Sequence, residues 1–186
     1  MIEHTTNITK GNILVADPIL DELYFRRGVI LVSDHNEDGT IGFVLNKEID
    51  LRINDAIEDF GDIDFPVYLG GPVSKDNLYF VHTAGHLIKD SQPITDKLFF
   101  GGHFDTLKEL ILAGKIAETE VRFFLGYSGW APGQLEEELK SESWFVGKIK
   151  KKYVFEPNKR LWHDALIDMG KDYAIIANFP DDPSMN

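Results

Sequence analysis

The chain contains no cysteine. That absence excludes disulfides, thiolate metal ligands and thiol nucleophiles together, and it agrees with a reducing compartment. Long apolar runs are also missing. The densest, Val29-Ile30-Leu31-Val32, falls far short of the roughly 20 residues that a membrane-spanning helix needs. Met1-Ile2-Glu3-His4-Thr5-Thr6 lacks the basic and apolar regions of a signal peptide, so a cytoplasmic location without a membrane partner is expected. Positive charge is scarce: 19 Lys and Arg stand against 31 Asp and Glu, a formal net charge of -12. Because non-specific DNA binding rests on neutralising phosphates, direct DNA binding is not expected. No nucleotide or catalytic signature is present, and no cofactor or metal is expected.

The residues that are present can build a core. At 186 residues, 43% apolar and with 13 Phe, the chain is expected to fold as one domain, 1–186, burying roughly 70% of its unfolded surface. Gly11 to Ala16 and Gly28 to Ser33 read as strands. The loop ending in Asp38-Gly39 supplies the positive-φ positions that a hairpin into Ile41 to Asn46 requires. Ile53, Ile57 and Phe60 recur at helical spacing before Gly61. Val67 to Leu69, Leu78 to His82, Leu98 to Phe100 and Val121 to Leu125 read as further strands. Thr106-Leu107-Lys108-Glu109 has capping-box spacing. Leu161, Ala165, Leu166 and Met169 line a last helix, with Asn158 as its cap and Gly170 as its end, while Tyr173 to Ala177 fits either strand or helix. Consecutive strands favour an α+β fold with a mainly antiparallel sheet.

The stretch from Gly126 to Leu139 is the most distinctive. It places three glycines, Pro132, Tyr127 and Trp130 between an apolar strand and an acidic helix. Its first reading is a packed corner; its second is a binding pocket built from Tyr127, Trp130 and Gln134. Glu136 is placed to pair with Lys140 one turn on, and the start of the helix is a possible anion site. Ser128 fails as a nucleophile elbow because Trp130 stands where that turn needs glycine. Gly70 and Gly71, before Pro72, form a tight turn or a nest of amides, and are candidate neighbours of that pocket. Gly101-Gly102-His103 reads as a turn into the next helix. His82-x-x-x-His86 has the spacing of a helical metal pair, but Gly85 and the β-rich context argue against the helix, which leaves His82 as a hydrogen-bonded or ligand-contacting residue. Asp17, Asp21 and Glu22 are scattered carboxylates. Trp162-His163-Asp164 is not a catalytic pair by itself, because adjacent helical residues point apart. The basic run Lys148, Lys150, Lys151 and Lys152, with Lys159 and Arg160 nearby, reads as the solvated side of a half-buried strand; a polyanion contact is the alternative.

Asn12 to Pro18, Gly42 to Lys47, Gly70-Gly71-Pro72-Val73, Gly126 to Leu139, Trp144, Leu161 to Leu166 and Asp181-Asp182-Pro183 together resemble the YqgE/AlgH family, in that family's order and over nearly the whole chain. The resemblance implies a small bacterial cytosolic protein whose bifurcated, mainly antiparallel sheet bends into a partial barrel with helices packed outside. It carries the label of putative transcriptional regulator but no DNA-binding motif. The expected function is a non-catalytic regulatory or binding module acting through an unknown protein or small-molecule partner. Two alternatives stand beside it: an enzyme with an unrecognised site using His82, Ser128 or carboxylates, and a nucleic-acid-associated regulator using the lysine run.

Overall fold

The computed structural model describes residues 7–180. The Met1 to Thr6 and Asp181-Asp182-Pro183 readings lie outside them. In chain order the elements are β1 (Asn12–Ala16), β2 (Val29–Asn36), β3 (Gly39–Val44), β4 (Glu48–Arg52), α1 (Ile53–Ala56), β5 (Pro66–Leu69), β6 (Val73–His82), β7 (Gln92–Pro93) and β8 (Phe99–Phe100). There follow α2 (Phe104–Leu112), β9 (Val121–Trp130), α3 (Gln134–Lys140), β10 (Trp144–Lys148), α4 (Lys151–Phe155), α5 (Leu161–Met169) and α6 (Lys171–Ala177). The fold is α+β, with a mostly antiparallel sheet in the open order β10-β1-β2-β3-β9-β6-β8-β7; β4 and β5 branch from it. It does not close into a barrel.

β1 and β2 are continuous apolar runs because both of their faces are covered. Ile13, Val15, Val29 and Leu31 pack with α4, α5 and α6 through Tyr153, Val154, Trp162, Ala165, Leu166 and Ala177. Leu14, Ala16, Ile30 and Val32 face the other way, onto Leu135 and Leu139 of α3 and onto Trp130 and Trp144. A third cluster sets Leu107 and Ile111 of α2 against Val67, Phe80 and Phe123. The β2–β3 hairpin turns where Asp38-Gly39 predicts, with Asn36 opposite Gly39.

Several expectations are corrected. The lysine run is not one strand: β10 ends at Lys148 and α4 begins at Lys151, turning Tyr153, Val154 and Phe155 together into the core. A strand covered on one face only cannot bury three consecutive residues, whereas a helical turn under the sheet can. The helix at Ile53 spans only to Ala56, and the chain then bends through left-handed Asp59 and Gly61. Thr106 does not cap α2. That helix starts two residues earlier, and the Thr106 hydroxyl lies 2.9 Å from His103 Nδ1 inside its first turn. Asn158 organises the turn before α5 through its side-chain oxygen, which accepts the Arg160 amide at 2.8 Å. Tyr173 to Ala177 is helical.

Candidate functional site

Gly126 does not begin a strand-to-helix junction; it is the point where the sheet forks. β9 continues through it to Trp130 and changes neighbours there. Val121 to Leu125 pair with β6 on one side, and Phe123 to Leu125 run parallel to β5 on the other. Beyond the fork, Ser128, Gly129 and Trp130 pair with Gly42, Ile41 and Thr40 of β3. Gly70 fills the notch. Its amide donates to Leu125 O at 2.8 Å, and its carbonyl accepts Val44 N at 2.9 Å and Ser128 Oγ at 3.0 Å. This contact requires glycine. A Cβ on Gly70 would lie 2.3 Å from Gly126 O, and a Cβ on Gly126, at φ +66, would meet Gly71 O at 2.6 Å. Two glycine motifs more than 50 residues apart are therefore one interlocked structure, and the Gly70 amide is not offered to an anion.

α3 follows after Ala131, Pro132 and a left-handed Gly133. Its seven residues put Leu135 and Leu139 inward, as expected. Just before its start, Gln134 Oε1 accepts the Ala131 amide at 3.0 Å. Lys140 pairs with Glu137 at 2.6 Å rather than with Glu136, which lies 3.7 Å from His35 Nε2. The organising carboxylate is Glu138. Its Oε2 accepts the indole N–H groups of both Trp130 and Trp144, each at 2.8 Å, and its Oε1 accepts Gln134 Nε2 at 2.9 Å. The Trp130 and Trp144 rings meet edge to face at 6.1 Å, with Phe25 against both. Trp130 is thus a core residue, 5% exposed, whereas Gln134 is exposed and Tyr127 half-buried. Nothing in local spacing marked Glu138 among its neighbours, because Trp144 approaches from another strand.

Beside the fork lies a groove of about 480 Å3. Tyr127, Gly129 and Trp130 line it from β9, and Asp34, Asn36 and Asp38 line it from the β2–β3 hairpin. The hairpin side is held in shape by its own bonds: Asn36 Nδ2 donates to Asp34 Oδ2 at 2.9 Å, and the Asp38 amide donates to Asn36 Oδ1 at 2.8 Å. The Tyr127 ring stands edge-on to Tyr79 at 5.6 Å. The structure therefore joins Tyr127, Trp130, Gln134, Gly70 and Gly71 around the fork and α3, and places His82 apart from them.

His82 is fully buried in β6. Its Nε2 donates to Gly101 O at 2.8 Å, while Nδ1 accepts the Ala84 amide at 3.2 Å. Burial pushes its pKa below the ordinary histidine value, against the opposing pull of the Gly101 bond. Ser91 Oγ lies 3.3 Å from Nε2, a serine–histidine contact not foreseen from the sequence. In that tautomer Nε2 carries its proton and has no lone pair to receive another, and Ser91 instead donates to Ile88 O at 2.7 Å. Ser128, also fully buried, bonds to Gly70 O and so shares no hydrogen bond with His82. His86 is exposed, and among the described residues no three His, Asp or Glu side chains gather as a metal-binding group. Asp17 accepts the Ile19 amide at 2.8 Å and Asp21 faces Arg26 at 3.8 Å, so these carboxylates do not converge. His163 and Asp164 do touch, Nδ1 to Oδ1 at 3.1 Å, although they are sequence neighbours. In the lysine run, Lys150 lies 2.7 Å and Lys152 3.6 Å from Asp168, which also accepts the Tyr153 hydroxyl.

The fork, the two-indole carboxylate and the adjoining groove define an α+β protein with a branched, mostly antiparallel sheet. The AlgH-like family model (DUF179) matches residues 13–174, and the chain belongs to that family. It is 42% identical over 177 residues to a UPF0301 protein of Chlorobaculum parvum, covering 95% of each chain. A UPF0301 protein of Parabacteroides distasonis is 42% identical over 180 residues, covering 95% of this chain and 91% of that one. Among solved structures, AlgH of Pseudomonas aeruginosa, also UPF0301, superposes with a TM-score of 0.72 at 26% identity over 97% of this chain and 98% of that one. Protein DIP2367 of Corynebacterium diphtheriae reaches 0.81 at 24% identity over 96% and 95%, a likeness of fold. Among the described residues no helix is long and apolar enough to cross a membrane.

Proposed function

We propose that the protein is a non-catalytic binding module of the cytoplasm whose groove beside the fork receives a basic segment of a partner protein. The observation that carries this reading is the groove itself, with the Tyr127 ring and the Asp34 and Asp38 carboxylates along its walls. An aromatic surface flanked by carboxylates favours a cationic side chain, through ring and charge together. The groove rests on paired strands and on the glycine interlock, so little ordering is required when a partner arrives. Direct DNA binding has no part in the proposal, in keeping with the net charge of -12.

Site-specific crosslinking tests it. A photoreactive side chain at position 127 is expected to capture a partner in bacterial cells, and Asp34→Lys with Asp38→Lys is expected to abolish that capture while the far-ultraviolet spectrum and melting temperature hold. Capture unchanged by the charge reversals would overturn the assignment of the groove. A crosslinked small molecule instead of a protein would keep the groove and replace its occupant.

A further inference from the structure

A second cavity, of about 310 Å3, lies where the β3–β4 connection, the Arg26-Arg27 turn and the start of α5 meet. Its lining draws cations from three separate parts of the chain: Arg27, Lys47, and Lys159 with Arg160. Asn46, Trp162 and His163 complete the wall, and among the described residues no carboxylate lines it. That concentration stands against the composition, since the chain as a whole has 12 more acidic than basic residues, 31 against 19.

Three of the four cations, Lys47, Arg27 and Arg160, have partners that hold them in place. Lys47 Nζ donates to Arg26 O at 2.8 Å. The Arg27 guanidinium lies 4.3 Å from the centre of the Trp162 ring and donates to Phe179 O and Pro180 O, each at 2.6 Å. Trp162 is itself fixed through its indole N–H, which donates to Ala16 O at 2.8 Å. Arg160 Nη2 is 3.3 Å from His163 Nε2, so guanidinium and imidazole share one side of the cavity. Asp164, in the first turn of α5, has its oxygens engaged by Asn158 and His163. Burial, and after it the Arg26 charge, pushes the Lys47 pKa below the ordinary lysine value. α5 adds its first turn, where Leu161 N already donates to Asn158 O at 3.2 Å and the helix dipole favours negative charge.

We infer that this cavity binds a small phosphorylated metabolite, with the phosphate held among Lys47, Lys159, Arg160 and the first turn of α5. A phosphate fits better than a carboxylate. One arginine fork can saturate a planar carboxylate, whereas cations arriving from several directions suit an anion with multiple charged oxygens. The cavity also exceeds what a bare phosphate fills, leaving room for a small organic group beside it. This site shares no residue with the groove lined by Tyr127, so the two proposals stand or fall independently.

The test is a titration of the full chain, followed by amide NMR and calorimetry, with inorganic phosphate, pyrophosphate, adenosine monophosphate and citrate as probes. Pyrophosphate and adenosine monophosphate are expected to shift the amides of Lys47, Trp162 and His163 saturably, with affinity that falls as salt is raised. Lys159→Gln combined with Arg160→Gln is expected to weaken binding at least tenfold, while Lys150→Gln, in the other basic run, leaves it unchanged. Equal weakening by Lys150→Gln would reveal diffuse electrostatic attraction and overturn the site. Citrate binding as tightly as pyrophosphate would overturn the phosphate assignment, and no saturable shift at millimolar probe would end the proposal.

Discussion

The fork and the basic cavity represent opposite ways of placing polar groups in one fold. At the fork, Gly70 N, Gly70 O and Ser128 Oγ all find partners within the chain, and the space left over is too small for a methyl group. At the cavity, cations from distant segments gather, yet among the described residues no carboxylate lines it. A substitution at the fork should therefore register as lost stability. One at the cavity should leave folding alone and register only when an anion is offered.

The largest expected effect breaks the interlock. Gly70→Ala forces a backbone clash and breaks hydrogen bonds, at a combined cost of about 3–4 kcal/mol in urea unfolding. A loss below about 1 kcal/mol would mean that the fork can relax, as well-packed backbone seldom does. Next comes Glu138→Ala, which strands two indole N–H groups and should cost about 2–3 kcal/mol, with Glu138→Gln milder because one acceptor remains. Equal losses for both variants would point to packing rather than hydrogen bonding.

His82 extends the comparison to pH. Its native pKa lies below the unfolded value of about 6.5, so the unfolded chain takes up the proton first. The contribution of neutral His82 is fully present above that unfolded value and is lost as pH falls below it toward the native one. Urea midpoints measured between pH 7.5 and 5 should decline, and His82→Gln should flatten the slope; an unchanged slope would assign the decline to other groups. The smallest effect belongs to the cavity: Lys159→Gln should shift stability by no more than about 0.5 kcal/mol, since the side chain is exposed.

The parts of the fold carried by local chemistry were readable in advance. Asp38-Gly39 marked its hairpin, the α5 stripe faced the core, and Gly170 ended that helix. The distinctive glycine–tryptophan stretch was recognisable as a special place but not as a branch in the sheet. Its meaning depends on Gly70, whose carbonyl reaches Ser128 only after the chain has folded. Trp130 looked like a contact residue for the same reason: Glu138 and Trp144, which draw it inside, act across elements. The lysine run misled because a short helix under a sheet can bury consecutive residues without leaving a long periodic pattern. The basic cavity was invisible along the sequence, since Arg27, Lys47 and Lys159 come together only through tertiary structure.

The position of β9 also governs how the chain can reach this fold. β3, β5 and β6 each pair with it, and all three are complete in sequence well before Val121. During synthesis those earlier strands must wait with open edges until the shared strand leaves the ribosome, and β1 waits longer still for β10. Such long-range pairing slows folding and leaves unpaired edges exposed to other chains in the interval. A nascent chain halted before residue 121 should thus be prone to aggregate and rich in chaperone contacts, and release past residue 148 should let both halves of the sheet close in one cooperative step.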